Sequence, residues 1–230
     1  MRNKSRVIIP ARVAGISYLL VIAGGVFSAV FVRDALFVAG DPAATARNIA
    51  ENEWLWRWGI AIHACYLIAA SIFTVILYRI FRAVGPTQAL VALVLGVAPV
   101  AVEASLLINL YVPLMIMTDG ALSALADAHR NAIGYLGVRV FVTGWNFSLV
   151  LFSGFCVLTG GLILQSRLVP RVIGVLMIAA GFSYFVGSLA AIISPSWSAA
   201  LQPEILLPSF VGEFSLALWL STKGLRLPST

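Results

Sequence analysis

The sequence predicts an all-α membrane protein, a polytopic bundle of six transmembrane helices with both termini in the cytoplasm. Residues of the set AVILMFWYC make up 61% of the 230 residues, and charged residues only 10%. Soluble globular proteins contain about 45–50% apolar and about 25% charged residues. Together with a mean hydropathy of +1.00, this composition excludes a disordered chain, a nucleic-acid-binding domain, a coiled coil and a disulfide scaffold.

Six apolar stretches are long enough to cross a bilayer, since a spanning helix needs about 20 residues. The predicted spans are 14–32, 58–78, 88–112, 138–164, 172–193 and 205–220. No linker or soluble domain separates them. Residues 1–230 are therefore expected to form one membrane domain that has the lipid bilayer as its partner and does not bind nucleic acid.

The distribution of Lys and Arg predicts the orientation, because cytoplasmic loops carry an excess of both. One side of the membrane holds ten of the 15 basic residues and no acid: Arg2, Lys4, Arg6, Arg12, Arg79, Arg82, Arg167, Arg171, Lys223 and Arg226. The other side carries a net charge of about −2 on the same counting. Both termini are predicted to be cytoplasmic, and the net charge of +6 then requires no acidic partner.

Two loops on the outer side are predicted to contain short helices. In the first, from Arg33 to Arg57, Asp41 and Pro42 are typical of a helix start, which predicts a helix over 43–52. In the second, 121–131 is predicted to form an interfacial helix. Asp127 and His129 in that segment suit either a metal or a solvated loop. With two histidines in the chain and no clustered ligands, no metal site is predicted.

Small residues on the fifth span predict close helix packing. Gly174, Gly181 and Gly187 lie near one face, where they let a neighbouring backbone approach. These glycines are expected to let helices of one bundle pack closely, and the alternative is that they form the contact in a homodimer.

The polar residues inside the spans carry the functional prediction. A charge at the centre of a spanning helix costs ~2.5–3.5 kcal/mol, so such a residue needs a partner or water. Counting 1.5 Å per residue places several of these groups at similar depth in the outer part of the bundle. The candidate ligand-binding residues are His63, Glu103, Asn109, Arg139, Thr143, Asn146 and the deeper Glu213.

Two interpretations of this set stay open. In the structural one, Glu103 and Arg139 form a buried ion pair and Glu213 is a protonated acid bonded to a neighbouring helix. In the functional one, the group lines an outward-facing pocket for binding or transport of a small polar ligand. The alternatives are an intramembrane enzyme that uses Glu103 or Glu213 with His63, and a non-catalytic partner or assembly protein. No catalytic or cofactor motif is present, so neither a catalytic residue nor a cofactor is assigned.

Three segments carry a resemblance to a known family. They are RVAGISYLL at 12–20, QSRLVPRVIG at 165–174 and GEFSLALWLSTKG at 212–224. With the six-span layout they resemble the DUF4386 family of bacterial integral membrane proteins, whose function is unknown. The resemblance implies an uncharacterised protein of the cell inner membrane, and it places Glu103 and Glu213 where members tend to carry Glu.

Overall fold

The computed structural model describes residues 2–201 and 204–225. About 90% of the protein is helical, and the described residues contain no strand. Within these described residues, six helices are long and apolar enough to cross a membrane: Pro10–Leu36, Glu53–Phe81, Pro86–Thr118, Asp127–Ser166, Arg171–Ile193 and Glu204–Thr222. Each contains one of the six predicted spans, which confirms the prediction of an all-α, six-helix membrane protein. Arg226, counted above among the inner-side cations, lies outside the described residues.

Several of these membrane-length segments are built from more than one helical piece. In chain order the elements are α1 (Arg2–Val26), a π-helical stretch (Phe27–Arg33), α2 (Asp34–Leu36), α3 (Pro42–Glu51), α4 (Glu53–Phe81), α5 (Pro86–Leu107), a 3-10 turn (Ile108–Leu110), α6 (Val112–Thr118), a 3-10 turn (Gly120–Ala124), α7 (Asp127–Ser166), α8 (Arg171–Ile193), α9 (Pro195–Leu201), a 3-10 turn (Glu204–Leu206) and α10 (Leu207–Thr222).

Of the two helices predicted in the outer loops, one is present in the structure and the other is not. Asp41 caps α3 by accepting a 2.8 Å hydrogen bond from the Ala44 amide, with Pro42 in the first turn, so the predicted helix is present. The helix predicted over 121–131 is wrong. Leu125 is extended and ends a 3-10 turn, and α7 begins at Asp127, because an acid in the first turn favours a helix start.

The chain divides into two compact units. Unit 1 comprises Met1–Ile22, Ile68–Ala101 and Asn146–Thr230. Its apolar core includes Tyr18, Phe73 and Phe155. Within it α7 and α8 approach closely at two glycines: a Cβ atom on Gly160 would lie 2.5 Å from the Gly174 carbonyl oxygen. Only glycine allows this separation of the two backbones.

Unit 2 comprises Ala23–Leu67 and Val102–Trp145. Its core includes Val32, Ile49, Trp56, Leu114 and Phe141. Trp56 is 1% exposed, whereas its neighbours at 54 and 58 are exposed. The Trp56 indole donates a 2.7 Å hydrogen bond to the Leu110 carbonyl. This bond ties α4 to the 3-10 turn in which the third span changes its helical form.

Candidate functional site

Unit 2 holds a buried cluster of three polar side chains, the Glu103 cluster, formed by Glu103, His63 and Tyr66. The Tyr66 hydroxyl donates a 2.5 Å hydrogen bond to Glu103 Oε2. His63 Nε2 lies 2.8 Å from the Tyr66 oxygen and 3.3 Å from Glu103 Oε2. The exposed fractions are 8% for Glu103, 5% for His63 and 8% for Tyr66. The structure therefore brings together two of the residues selected from the sequence, with Tyr66 as a third member.

The helices explain why these groups meet. His63 and Tyr66 are three residues apart on α4, so they lie on one face. Their rings are in contact, with centroids 4.4 Å apart. On its other side His63 meets the edge of the Phe141 ring at 5.3 Å. Two aromatic contacts thus fix the imidazole in front of the α5 carboxylate.

The hydrogen-bond geometry assigns the hydrogen on His63. Tyr66 has one hydroxyl hydrogen, which the 2.5 Å contact gives to Glu103. His63 Nε2 must then carry a hydrogen to bond with either oxygen. A carboxylate, a phenol and an imidazole are thus in mutual hydrogen-bonding contact. Groups in such contact have the geometry for transfer of a proton from one to another.

Arg33 is a buried cation in the same unit. The sequence placed it at the start of the first outer loop; the structure instead puts it at the end of the π-helical stretch, with 8% of its surface exposed. Its guanidinium lies 5.1 Å from the Trp145 ring centroid and 5.9 Å from that of Phe141. Its Nε donates a 2.9 Å hydrogen bond to Asp34. π-Helical turns occur often at functional sites, and here one holds a cation over two aromatic rings.

The other sequence-selected residues of the outer group lie on α7 and in the 3-10 turn that follows α5. Arg139 and Thr143 are exposed on α7, and Arg139 takes part in none of the ion pairs formed by described residues. Asn109 donates to the Leu106 carbonyl of its own helix at 3.0 Å. Asn146 is half-buried. The structure thus does not bring Arg139 to Glu103.

Unit 2 also contains a cavity of about 320 Å³ between α3, α6 and the first turns of α7. Its polar lining includes Thr45, Arg47, Asp127, Arg130, Asn131 and Tyr135. The residues of the Glu103 cluster are not part of this lining. The apolar core of unit 2 contacts both: Ile49 lines the cavity, and Phe141 packs against His63.

The cavity has more positive than negative groups in its lining. Arg130 donates to the Ile116 carbonyl at 3.1 Å and to Asp127 Oδ1 at 3.3 Å. Its Nε is buried and lacks a hydrogen-bond partner within the described part of the chain. Arg47 is exposed. The lining therefore holds two guanidinium groups and one carboxylate, and the guanidinium of Arg130 is held in place by the Ile116 carbonyl.

Sequence reasoning missed three of these residues. Tyr66 carries a signal that a helical wheel reveals, since it lies one turn from His63. Arg33 and Arg130 belong to predicted outer loops, where water can solvate an arginine and no buried partner is expected. Among the described residues there is no group of three His, Cys, Asp or Glu side chains that could hold a metal ion.

Comparison with known proteins identifies a family. The family model DUF4386, described as a domain of unknown function, matches residues 13–224. Neither a curated protein nor a solved structure matches the chain significantly.

Proposed function

We propose that this chain, which belongs to the DUF4386 family, binds a small anionic molecule in the cavity of unit 2 as a membrane receptor or transporter. The observation that carries the proposal is a cavity of about 320 Å³ whose lining holds two arginines and one acid. Its volume is in the range of about 300–1,000 Å³ that small-molecule sites occupy.

Arginine determines the class of ligand. Its planar guanidinium binds carboxylate and phosphate-like groups through paired hydrogen bonds. Arg130 is already oriented by Ile116 and Asp127, so little of its side-chain freedom remains to be lost on binding. Asn131 and Tyr135 supply further polar groups in the same lining. A small carboxylate or an inorganic oxyanion matches these groups.

The Glu103 cluster is proposed to respond to the bound anion. Negative charge added to unit 2 stabilises positive charge elsewhere in that unit, more strongly at low dielectric constant than in water. The basic group of the Glu103 cluster is His63, whose Nε2 lies 3.3 Å from Glu103 Oε2. Anion binding is therefore coupled to proton uptake, and this coupling would be reciprocal.

The proposal also covers the membrane in which the protein lies and its orientation there. An inner-membrane protein with both termini in the cytoplasm would expose the cavity to the outside, since α3 and the start of α7 lie in the segments that the charge distribution places there. A fluorescent reporter fused to the C-terminus tests this orientation, because it matures in the cytoplasm and stays dark outside.

Calorimetric titration of the purified protein in detergent, with sulfate and acetate as the probes, tests the binding site. Arg130→Gln is expected to weaken binding by about tenfold or more, because hydrogen bonds to charged groups contribute about 1.5–3 kcal/mol. Arg139→Gln is the matched control: an exposed arginine on the same helix, outside the cavity lining. Equal weakening by both variants, or an absence of binding to either probe, would contradict the proposal.

An intramembrane enzyme is the second candidate, favoured by one observation. Glu103 Oε2 is contacted by two groups able to transfer protons, at 2.5 and 3.3 Å, as general acid–base chemistry requires. The variant Glu103→Gln distinguishes the two proposed functions. An enzyme would lose turnover while still binding sulfate with wild-type affinity, whereas the receptor or transporter would lose the proton uptake that accompanies binding.

A further inference from the structure

An apolar surface formed by α6, the α6 wall, lines one side of the cavity in unit 2. Its residues are Pro113, Ile116 and Met117, which lie on one face of the helix because they are three and four residues apart. Pro113 and Ile116 are buried, and Met117 is half-buried. A wholly polar ligand would leave this wall facing water, whereas removal of water from apolar surface is favourable.

The side of the cavity formed by α3 is also mainly apolar. The Thr45 hydroxyl is already engaged, since it accepts from the Val38 amide at 3.0 Å and donates to the Asp41 carbonyl at 2.9 Å. Arg47 is the charged residue that α3 contributes, and it is exposed. The other α3 residues of the lining have hydrocarbon side chains: Ala43, Ala46, Ile49 and Ala50.

Arg130 joins the polar side of the cavity to the α6 wall. It lies on α7 beside Asn131, which also lines the cavity. Its guanidinium donates a 3.1 Å hydrogen bond to the carbonyl of Ile116, so the cationic group lies against the helix that carries the apolar wall. Its Nε has no hydrogen-bond partner among the described residues. An organic anion bound to Arg130 therefore has the α6 wall within reach of its next few atoms.

We infer that the ligand of this cavity is an amphiphilic monoanion, a single carboxylate with a short hydrocarbon chain. The inference rests on the anion site proposed above. The carboxylate accepts hydrogen bonds from Arg130 and Asn131, and the chain packs against the α6 wall. Small-molecule sites commonly combine an apolar lining with a few polar groups that orient the ligand. The cavity volume of about 320 Å³ equals the liquid volume of about ten water molecules, which limits the chain to a few carbons.

The charge of the lining favours one carboxylate over two. Arg47 and Arg130 face a single acid, Asp127, which leaves one positive charge for the ligand to balance. The other acid selected from the sequence, Glu213, is 7% exposed on α10 in unit 1 and does not line the cavity. A second carboxylate at the far end of the ligand would lie against the α6 wall, where it would lose water without gaining a partner.

Calorimetric titration of the full chain in detergent with acetate, butyrate and hexanoate tests the inference. The association constant is expected to rise by about twofold to fourfold for each added methylene group, where fourfold corresponds to complete burial at about 0.8 kcal/mol. Succinate has as many carbons as butyrate and a second carboxylate. It should bind at least about tenfold more weakly than butyrate, because an unpaired charge is costly at an apolar surface.

A pair of methionine variants assigns the effect of chain length to the α6 wall. Met117→Gln replaces an apolar side chain of the wall by a polar one of similar size. It should reduce the ratio of hexanoate to acetate affinity by about threefold or more and leave acetate affinity unchanged. Met115→Gln is the matched control, exposed on the same helix and outside the lining. It should keep the wild-type ratio in the same detergent, which accounts for uptake of hexanoate by micelles.

The wild-type series decides the inference even if Met117→Gln does not fold. Equal affinities for the three monocarboxylates, weakened together by Arg130→Gln, would overturn the inference and leave the anion site in place. Tighter binding of succinate than of butyrate, or an equal loss of the ratio in both methionine variants, would also overturn it. If neither sulfate nor any of the carboxylates binds, the anion site itself is refuted and the inference with it.

Discussion

The Tyr66 hydroxyl on α4 donates a 2.5 Å hydrogen bond to the Glu103 carboxylate on α5. This contact joins two helices through groups that are both nearly excluded from the surface. An acid in a membrane span is stable only where such partners surround it. The bond therefore contributes to the stability of unit 2 and also holds the Glu103 carboxylate beside His63.

Removing the Tyr66 hydroxyl should destabilise the protein. Tyr66→Phe deletes the donor to Glu103 and is expected to cost about 1–2 kcal/mol, at the upper end for membrane hydrogen bonds because the acceptor is charged. Thermal unfolding in detergent measures the loss. Tyr111→Phe is the control, since this hydroxyl accepts from the Arg57 side chain at an exposed position. Equal unfolding temperatures for wild type and Tyr66→Phe would refute a stabilising role for this bond.

Arg33 should not be replaceable by lysine. Its flat guanidinium covers the Trp145 and Phe141 rings, and lysine has a compact ammonium group in its place. Arg33→Lys is expected to lower stability by about 1 kcal/mol, the scale of a partly desolvated cation–π contact. The same unfolding measurement on Arg139→Lys, at an exposed position, should show no change. A lysine at position 33 that leaves the unfolding temperature unaltered would remove the cation–π argument.

The glycine contact in unit 1 predicts a stability effect at a position without polar chemistry. A Cβ atom on Gly174 would lie 2.9 Å from the Gly160 carbonyl oxygen. Gly174→Ala should therefore force α7 and α8 apart and cost about 1–3 kcal/mol, as overpacking does. Gly25→Ala serves as the comparison, because a Cβ atom there meets nothing within 4 Å. The packing argument fails if both alanine variants unfold at the same temperature.

Hydropathy was sufficient to predict the fold because the bilayer imposes one length on every span. The helix ends were less accessible. α4 begins at Glu53 and α7 at Asp127, several residues before the predicted spans, since an amphipathic turn can extend a helix beyond the apolar stretch. The start of the predicted loop from Arg33 to Arg57 was misplaced for a similar reason, since Arg33 is helical in the structure. An arginine at the edge of an apolar run indicates a loop, yet the rings of Trp145 and Phe141 cover Arg33 within the helix.

For the candidate site, the sequence indicates how deep in the membrane a side chain lies. It does not indicate in which direction around the helix axis that side chain points. A rise of 1.5 Å per residue placed His63 and Glu103 at one level, where the structure has them 3.3 Å apart. The same count placed Arg139 nearby in depth, but its side chain is exposed. An apolar helix such as α7 gives little pattern from which to derive its inward face. The cavity between α3, α6 and α7 depends on how three segments pack, which no single segment encodes.

The most direct test of the central claim, that an anion bound in unit 2 is coupled to the Glu103 cluster, is the proton uptake that accompanies sulfate binding. Calorimetric titrations in two buffers of different ionisation enthalpy measure this uptake, and sulfate itself does not titrate near neutral pH. Wild-type protein should take up a fraction of a proton for each sulfate bound, and Glu103→Gln should bind sulfate with little or no uptake. The account would be contradicted if sulfate binding to the wild-type protein released protons, or if it took up none.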